Sequence, residues 1–173
     1  IFGIESADFK FVRVDGCVKV KTKDLFKEIS YLSQDSWIPK TLSVKKAIQL
    51  SVSREKITEF YADESIRTIL DKKIVHLSGG ELRYLEIKII LFNSSRFVLL
   101  DEPYNGLSPL MVEKVNELLI ANSKSKGIII SDHNYENVIQ VSNRLILLKE
   151  AKAHHLLCKE ELIEKGYLKL GML

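Results

Sequence analysis

The stretch formed by residues 76–103 constrains the fold more than any other part of the sequence. Its first half, Leu-Ser-Gly-Gly-Glu at residues 77–81, precedes apolar residues at helical spacing, which predicts a helix. Its second half is the apolar run 97–100, which predicts a buried strand. Asp101 and Glu102 follow this run directly, at the strand end where open α/β sheets bind ligands. The stretch therefore predicts an α/β fold with functional side chains at the carboxyl end of a strand.

Ser78, Gly79 and Gly80 lie at the start of the predicted helix. A helix start offers free backbone N–H groups and the positive end of the helix dipole, and glycine lets a ligand come close, so this segment suits a phosphate. The same residues are also typical of an ordinary N-cap, which is the more frequent explanation of such a segment taken alone. A strand that ends in Asp-Glu is, by itself, usually a solvated strand end.

Both halves together, in this order and spacing, resemble the ATP-binding cassette (ABC) ATPases. Residues 77–81 are similar to the signature motif of that family, and residues 96–103 are similar to its Walker B strand with the following glutamate. Gln34, after the predicted strand 29–33, resembles the Q-loop glutamine, and His133, after the apolar run 127–131, resembles the switch histidine. Taken alone, each of these two would be read as a structural polar residue. Residues 104–109 resemble the D-loop, although Ser108 stands where the family usually has Asp.

The resemblance implies an α/β fold of the P-loop NTPase (RecA-like) type. We expect a mostly parallel sheet with helices on both faces, a small inserted helical subdomain and part of an antiparallel β subdomain. The whole of residues 1–173 would form one ABC ATPase domain. Residues 1–33 and 86–173 would supply the α/β core with a β hairpin, and residues 35–85 would supply the helical subdomain with the signature motif.

Local patterns add further elements to this expectation. Residues 1–3 are typical of a helix end, and residues 9–14 and 18–20 predict a hairpin around Asp15-Gly16. Residues 43–73 predict two or three short helices, the first capped by Ser43, and Ser108-Pro109 predicts a capped helix start. A buried strand is expected at 127–131, a further strand at 144–148, and a closing helix at 159–165 ending at Gly166.

Hydrolysis of ATP needs held phosphates, a placed Mg²⁺ and an aimed water. Mg²⁺ prefers oxygen ligands and takes one or two carboxylates, so Asp101 is the candidate ligand, with Gln34 as a neutral oxygen donor. The resemblance makes Glu102 the general base and His133 the group that contacts the γ-phosphate. It also implies that Ser78, Gly79, Gly80 and Glu81 close over ATP bound to a second ABC ATPase subunit in a head-to-tail dimer.

Composition limits the other functions. A net charge of +3 and a pI near 8.7 are too weak to indicate nucleic-acid binding. Cys17 and Cys158 have no metal-ligand spacing, so we expect two free thiols in a reducing compartment. No apolar run is long enough to span a bilayer. If the protein serves a membrane process, another chain must therefore cross the membrane. The resemblance implies that this other chain is a transmembrane permease subunit, and that the protein is cytoplasmic and peripheral to the inner or cell membrane.

The family's phosphate-binding loop, G-x-x-x-x-G-K-[ST], does not occur in this sequence. We therefore expect a C-terminal portion of an ABC ATPase that is inactive alone and binds ATP weakly or not at all. The leading interpretation is the ATP-hydrolysing subunit of an ABC transporter. One alternative is an ABC ATPase of translation or DNA repair, which usually carries tandem cassettes or long inserts. The other is a non-enzymatic module that keeps only the signature face.

Overall fold

The computed structural model describes residues 11–18 and 28–172, and the chain divides into two units, Ile1–Ser131 and Asp132–Leu173. The strands of the first unit are β1 (Arg13–Val14), β2 (Cys17–Val18), β3 (Ile29–Leu32), β4 (Phe97–Asp101) and β5 (Gly127–Ser131). Its helices are α1 (Val44–Ser51), α2 (Ile57–Tyr61), α3 (Glu64–Arg67), α4 (Gly79–Phe92) and α5 (Pro109–Ser123), with a 3₁₀ turn at Ile74–His76. The second unit contains α6 (Tyr135–Val141), β6 (Leu145–Lys149), β7 (Lys152–Leu156) and α7 (Glu161–Glu164).

Strands β3, β4 and β5 form a parallel sheet in that order. Leu32 pairs with Leu100, and Leu100 pairs with Ile130, so the three carboxyl ends lie at one edge. Helix α4 packs against β3 and β4, and α5 packs against α4 and β5. Val98 and Leu100 are buried, as expected for side chains on the helix-covered face of the central strand. This arrangement confirms the predicted parallel α/β fold.

Helix α4 begins with a capping box and is buried over most of its length. The Ser78 hydroxyl accepts a hydrogen bond from the Glu81 N–H, and the Glu81 carboxylate accepts one from the Ser78 N–H. Every residue from 83 to 92 is buried, including Arg83, Glu86 and Lys88. A helix that is buried on all sides and still carries three charged residues must supply a partner for each of them.

Three short helices and a 3₁₀ turn separate β3 from α4, as the sequence predicted for residues 43–73. The Ser43 side chain caps α1 by accepting a hydrogen bond from the Lys46 N–H. Phe60 is fully buried and meets Phe92 of α4 edge to face, with ring centroids 5.2 Å apart. This contact fastens the short helices to α4.

The hairpin prediction is confirmed where the structure describes it. β1 and β2 are antiparallel, and Asp15 and Gly16 between them both have positive φ, which the twist of a two-residue hairpin turn requires. Residues 9–10 and 19–20 of the predicted strands, and the helix end expected at residues 1–3, lie outside the described residues.

Three local expectations needed correction. Strand β5 forms as predicted, but Ile129 is 55% exposed. Among the described strands, β5 lies at the edge of the parallel sheet, paired with β4 and contacted by α5. Ser108 occupies the N-cap position of α5 without a side-chain cap hydrogen bond, and Pro109 starts the helix. The closing helix is a single turn, Glu161–Glu164, and Gly166 follows it with φ of +66°.

The second unit has its own small apolar core. Leu147, Leu156, Leu162 and Leu168 are buried together between the antiparallel pair β6–β7 and α7. Cys17 in the first unit and Cys158 in the second are free and exposed. Among the helices of the described ranges, none is both long and apolar enough to cross a membrane.

Candidate functional site

Three predicted site residues lie at, or just after, the carboxyl ends of strands in the parallel sheet. Gln34 follows β3 by two residues, Asp101 ends β4, and Glu102 comes next. Asp101 also pairs in register with Ser131 at the end of β5. The structure therefore brings Gln34, Asp101 and Glu102 together at the carboxyl edge of adjacent parallel strands, which is where α/β sheets bind their ligands.

The Asp101 carboxylate is held from both sides by hydroxyl groups. Tyr31 on β3 donates a hydrogen bond of 3.2 Å to Oδ2, and Ser131 on β5 donates one of 2.7 Å to Oδ1. Burial, and then the hydrogen bond to Asp101, raise the pKa of the Tyr31 phenol above its ordinary value. The phenol therefore stays protonated near neutral pH and continues to donate.

Glu102 has an unusual backbone conformation. Its φ is +45°, in the left-handed region that non-glycine residues seldom adopt. Its N–H donates to the Ser131 carbonyl at 2.7 Å, and its carbonyl accepts from the Asn105 N–H at 3.2 Å. Strain of this kind persists only where surrounding contacts fix the backbone, and it is concentrated at functional sites.

Two residues that the sequence did not single out, Arg83 and Glu86 of α4, contact the loops around this edge. Arg83 donates to the carbonyl oxygens of Ser33 and Asp101, and Glu86 accepts hydrogen bonds from residues 36 and 37. Hence both the segment that carries Gln34 and the end of β4 are attached to the same helix.

Residues 78–80, which we call the signature turn, form the start of that helix. Ser78 and Gly79 are exposed. Apart from the residues next to Gly79 in its own turn, none of the described residues has an atom within 4 Å of the position that a Cβ would take there. Gly80 packs more tightly, since a Cβ there would lie 3.3 Å from Sδ of Met111. The turn thus presents open backbone to the outside of the chain.

Glu81 already has two partners within the chain. Its carboxylate accepts from the Ser78 N–H at 2.7 Å and pairs with Lys72 at 2.9 Å. The hydrogen bond from the Ser78 backbone, followed by that from Lys72, holds the pKa of Glu81 below its ordinary value. These contacts give Glu81 a structural role as a helix-capping residue. Its contact with ATP stays a prediction.

His133 lies in the second unit and is described within that unit. Its side chain is 75% exposed, and its Nδ1 is 3.7 Å from Oδ1 of the buried Asp132. Asp132 also accepts a hydrogen bond of 2.7 Å from the Asn134 N–H, in the turn that starts α6. The gathering of His133 with Asp101 and Glu102 stays a prediction.

The donor set at the sheet edge suits Mg²⁺ better than a transition metal. Within residues 11–18 and 28–172, no three His, Cys, Asp or Glu side chains cluster as an all-protein metal cage. Asp101 offers a carboxylate, Ser131 at the end of β5 offers a hydroxyl oxygen, and Gln34, two residues after β3, offers an amide oxygen. A hard cation that keeps most of its waters and binds one or two carboxylates fits this set.

Comparison with known proteins agrees with this geometry. The ABC transporter family matches residues 5–105, more than half of the chain, and the chain belongs to this family. The lipopolysaccharide export system ATP-binding protein LptB of Acidithiobacillus ferridurans is 34% identical over 128 residues, covering 72% of this chain and 53% of that protein. LptB of Haemophilus influenzae is 30% identical over 135 residues, covering 72% of this chain and 56% of that protein. The chain therefore spans about half the length of these curated relatives.

Two solved structures show the same fold. An ATP-binding subunit of an ABC transporter superposes with a TM-score of 0.67 at 16% identity, over 80% of this chain and 62% of that one. A chain in the complex of archaeal ribosomal stalk protein aP1 with ribosome recycling factor aABCE1 gives a TM-score of 0.66 at 21% identity, over 84% and 27% of the two chains. The predicted family and fold class are confirmed.

Proposed function

We propose that this chain is part of the ATP-hydrolysing subunit of an ABC transporter, which couples hydrolysis to transport by a membrane partner. The observation that carries the proposal is the meeting of Gln34, Asp101 and Glu102 at one sheet edge, with Asp101 oriented by Tyr31 and Ser131. Membership of the ABC transporter family and the names of the relatives support it.

Each residue at the sheet edge has a separate role in this proposal. Asp101, through its carboxylate or a bound water, and Gln34, through its amide oxygen, would hold Mg²⁺. When bound, Mg²⁺ neutralises charge on the phosphate oxygens of ATP. Glu102 would accept a proton from the attacking water, and His133 would contact the γ-phosphate. The pairing of a fixed Asp101 with a backbone-constrained Glu102 supports different tasks for the two carboxylates.

The proposed partner for the signature turn is a second ABC ATPase subunit. Ser78 and Gly79 are exposed and the space around Gly79 is open, so phosphate oxygens bound to another copy could approach the backbone N–H groups. The dimer would be head to tail, with two ATP molecules between the subunits. The membrane partner would be a transmembrane permease, which places the dimer at the cytoplasmic side of the membrane. The division into an α/β core (1–33, 86–173) and a helical subdomain (35–85) belongs to the same proposal.

Glu102→Gln tests the proposed activity. The assay uses the full-length gene product. We expect ATP turnover to fall at least about a hundredfold, because an amide cannot accept the proton, while ATP still binds. Glu113→Gln, an exposed change of the same type on α5, is the control and should keep wild-type turnover. A wild-type protein without ATP turnover, or a Glu102→Gln variant with full turnover, would refute the proposal.

A further inference from the structure

Two buried residues of opposite charge, Arg83 and Glu86, connect α4 to both segments that carry the proposed hydrolytic residues. Only 6% of Arg83 and 1% of Glu86 is exposed. Their side chains lie 3.8 Å apart, between Nη1 of Arg83 and Oε2 of Glu86. Removing two charges from water is unfavourable unless they form hydrogen bonds inside the protein. The hydrogen-bond partners of Arg83 and Glu86 therefore identify the segments that these two residues fix in place.

Arg83 joins the ends of β3 and β4. Its Nη1 donates to the Ser33 carbonyl at 2.7 Å, next to Gln34. Its Nη2 donates to the carbonyls of Asp101 at 2.6 Å and Glu102 at 2.9 Å. A planar guanidinium has donors in a fixed fork, so it sets the distance between the two strand ends as well as binding each.

Glu86 holds the other side of the segment that contains Gln34. Its Oε1 accepts from the Ser36 hydroxyl at 2.6 Å and from the Trp37 N–H at 3.1 Å. Gln34 thus lies between a backbone contact to Arg83 at Ser33 and two contacts to Glu86 at residues 36 and 37. Both anchors come from the same turn of α4.

We infer that Arg83 and Glu86 are positioning residues for the hydrolysis proposed above. They act through the backbone of residues 33–37 and 101–102, and they fix where Gln34 and Glu102 present their side chains. For Glu102, the hydrogen bond from Arg83 is one of the contacts that hold a left-handed φ of +45°. Since the signature turn starts the same helix, these contacts also fix the turn relative to Gln34 and Glu102.

This role predicts a particular kinetic signature, and it rests on the proposed function. Arg83 donates hydrogen bonds to the backbone carbonyls of Ser33, Asp101 and Glu102, so its loss should misplace catalytic groups without removing a contact to ATP. We expect Arg83→Met to lower kcat by about tenfold to a hundredfold while KM for ATP changes less than about threefold. Arg83→Lys should also lower kcat, because one ammonium cannot span both strand ends. Arg67→Met, on the exposed face of α3, should keep wild-type kcat and KM.

Glu86 supplies an independent pair of variants. Glu86→Gln keeps an oxygen that accepts from Ser36 and Trp37, so we expect kcat within about threefold of wild type. Glu86→Leu removes both bonds and should lower kcat about tenfold or more at unchanged KM. If Arg83→Met does not fold, Arg83→Lys and the two Glu86 variants decide the question by the same kcat-against-KM criterion.

The outcomes separate this inference from the proposed function. Turnover in the wild type and in Arg67→Met, together with wild-type kcat in folded Arg83→Lys and Glu86→Leu, would overturn the positioning role and leave the proposed function intact. Equal losses in Glu86→Gln and Glu86→Leu, or a rise in KM without a fall in kcat, would also overturn it. Absence of turnover in the wild type would refute the proposed function itself, and the inference with it.

Discussion

The phenol of Tyr31 donates a hydrogen bond of 3.2 Å to Oδ2 of Asp101, across the two parallel strands β3 and β4. Ser131 on β5 donates to the other carboxylate oxygen. The carboxylate is therefore oriented by one hydroxyl from each neighbouring strand. Groups that orient a metal ligand in this way contribute to metal affinity, although they do not touch the metal.

Tyr31→Phe should weaken the binding of the Mg²⁺ that supports turnover, without unfolding the protein. The ring is kept, and one hydrogen bond to a charged group is lost, so we expect stability to fall by about 1–2 kcal/mol. The Mg²⁺ concentration for half-maximal turnover should rise about tenfold. A Mg²⁺ titration of ATP turnover measures this shift.

Tyr61→Phe is the matched control for that experiment. The Tyr61 hydroxyl is buried and has no hydrogen-bond partner among the residues that the structure describes. Its removal should leave the Mg²⁺ titration unchanged and should not lower stability. Equal Mg²⁺ titrations for Tyr31→Phe and Tyr61→Phe would show that the Tyr31 hydroxyl does not orient the ligand.

Gly79→Ala should separate the folding of the chain from its proposed activity. A Cβ at Gly79 meets no atom of the described part of the chain within 4 Å, its own turn aside, and alanine favours a helix over glycine by roughly 1 kcal/mol. We therefore expect the free energy of unfolding to stay the same or rise slightly. Turnover should fall, because the added methyl group blocks close approach of a phosphate to the signature turn. Chemical denaturation and an ATPase assay on the same preparation test both halves, and a variant with full turnover would contradict the second.

Asp63 should stabilise the fold in a pH-dependent way. Its Oδ2 accepts from Lys88 at 2.5 Å and from Tyr84 at 2.6 Å, while Oδ1 caps α3. Burial alone would raise the pKa of Asp63, but the hydrogen bonds from Lys88 and Tyr84 outweigh it and hold the pKa below its ordinary value. A lowered carboxyl pKa contributes stability above the unfolded-state pKa of about 3.9, and that stability is lost as pH falls through the folded-state pKa.

Asp63→Asn should therefore destabilise the protein by about 3 kcal/mol at pH 7, since Lys88 is left buried without its charged partner. The difference from wild type should shrink as the pH is lowered below about 4. Urea unfolding at a series of pH values measures it. The double variant Asp63→Asn, Lys88→Met should recover much of the loss at pH 7, and a constant difference at every pH would contradict the account.

The strands and motifs could be predicted because their signals are local. The apolar run before Asp101 is typical of a buried strand, and the pair Asp15-Gly16 is typical of a two-residue hairpin turn. The hydrogen bonds of Tyr31 and Ser131 to Asp101 could also have been predicted, because in the parallel register the three side chains lie on the same face of the sheet. That step needed the pairing of β3, β4 and β5 to be known first.

Arg83 and Glu86 could not be found in the same way. A helix with one apolar stripe would leave charged residues in solvent, and the spacing of Leu82, Leu85, Ile89 and Phe92 suggested such a stripe. Helix α4 is instead buried on all sides from residue 83 onward, so its charged residues have partners inside the protein. The partners of Glu86 at residues 36 and 37 lie far away in the sequence, where no local pattern connects them.

The central proposal is that Asp101 and Glu102 of one subunit and the signature turn of another form a shared ATP site. It is tested most directly with two variants, Glu102→Gln and Gly79→Asp, each expected to be inactive as a homodimer. In a heterodimer of the two, isolated with different tags, one site keeps both intact halves and the other loses both. The account predicts about half of wild-type turnover for that heterodimer. A heterodimer no more active than its parents would contradict a site shared between subunits.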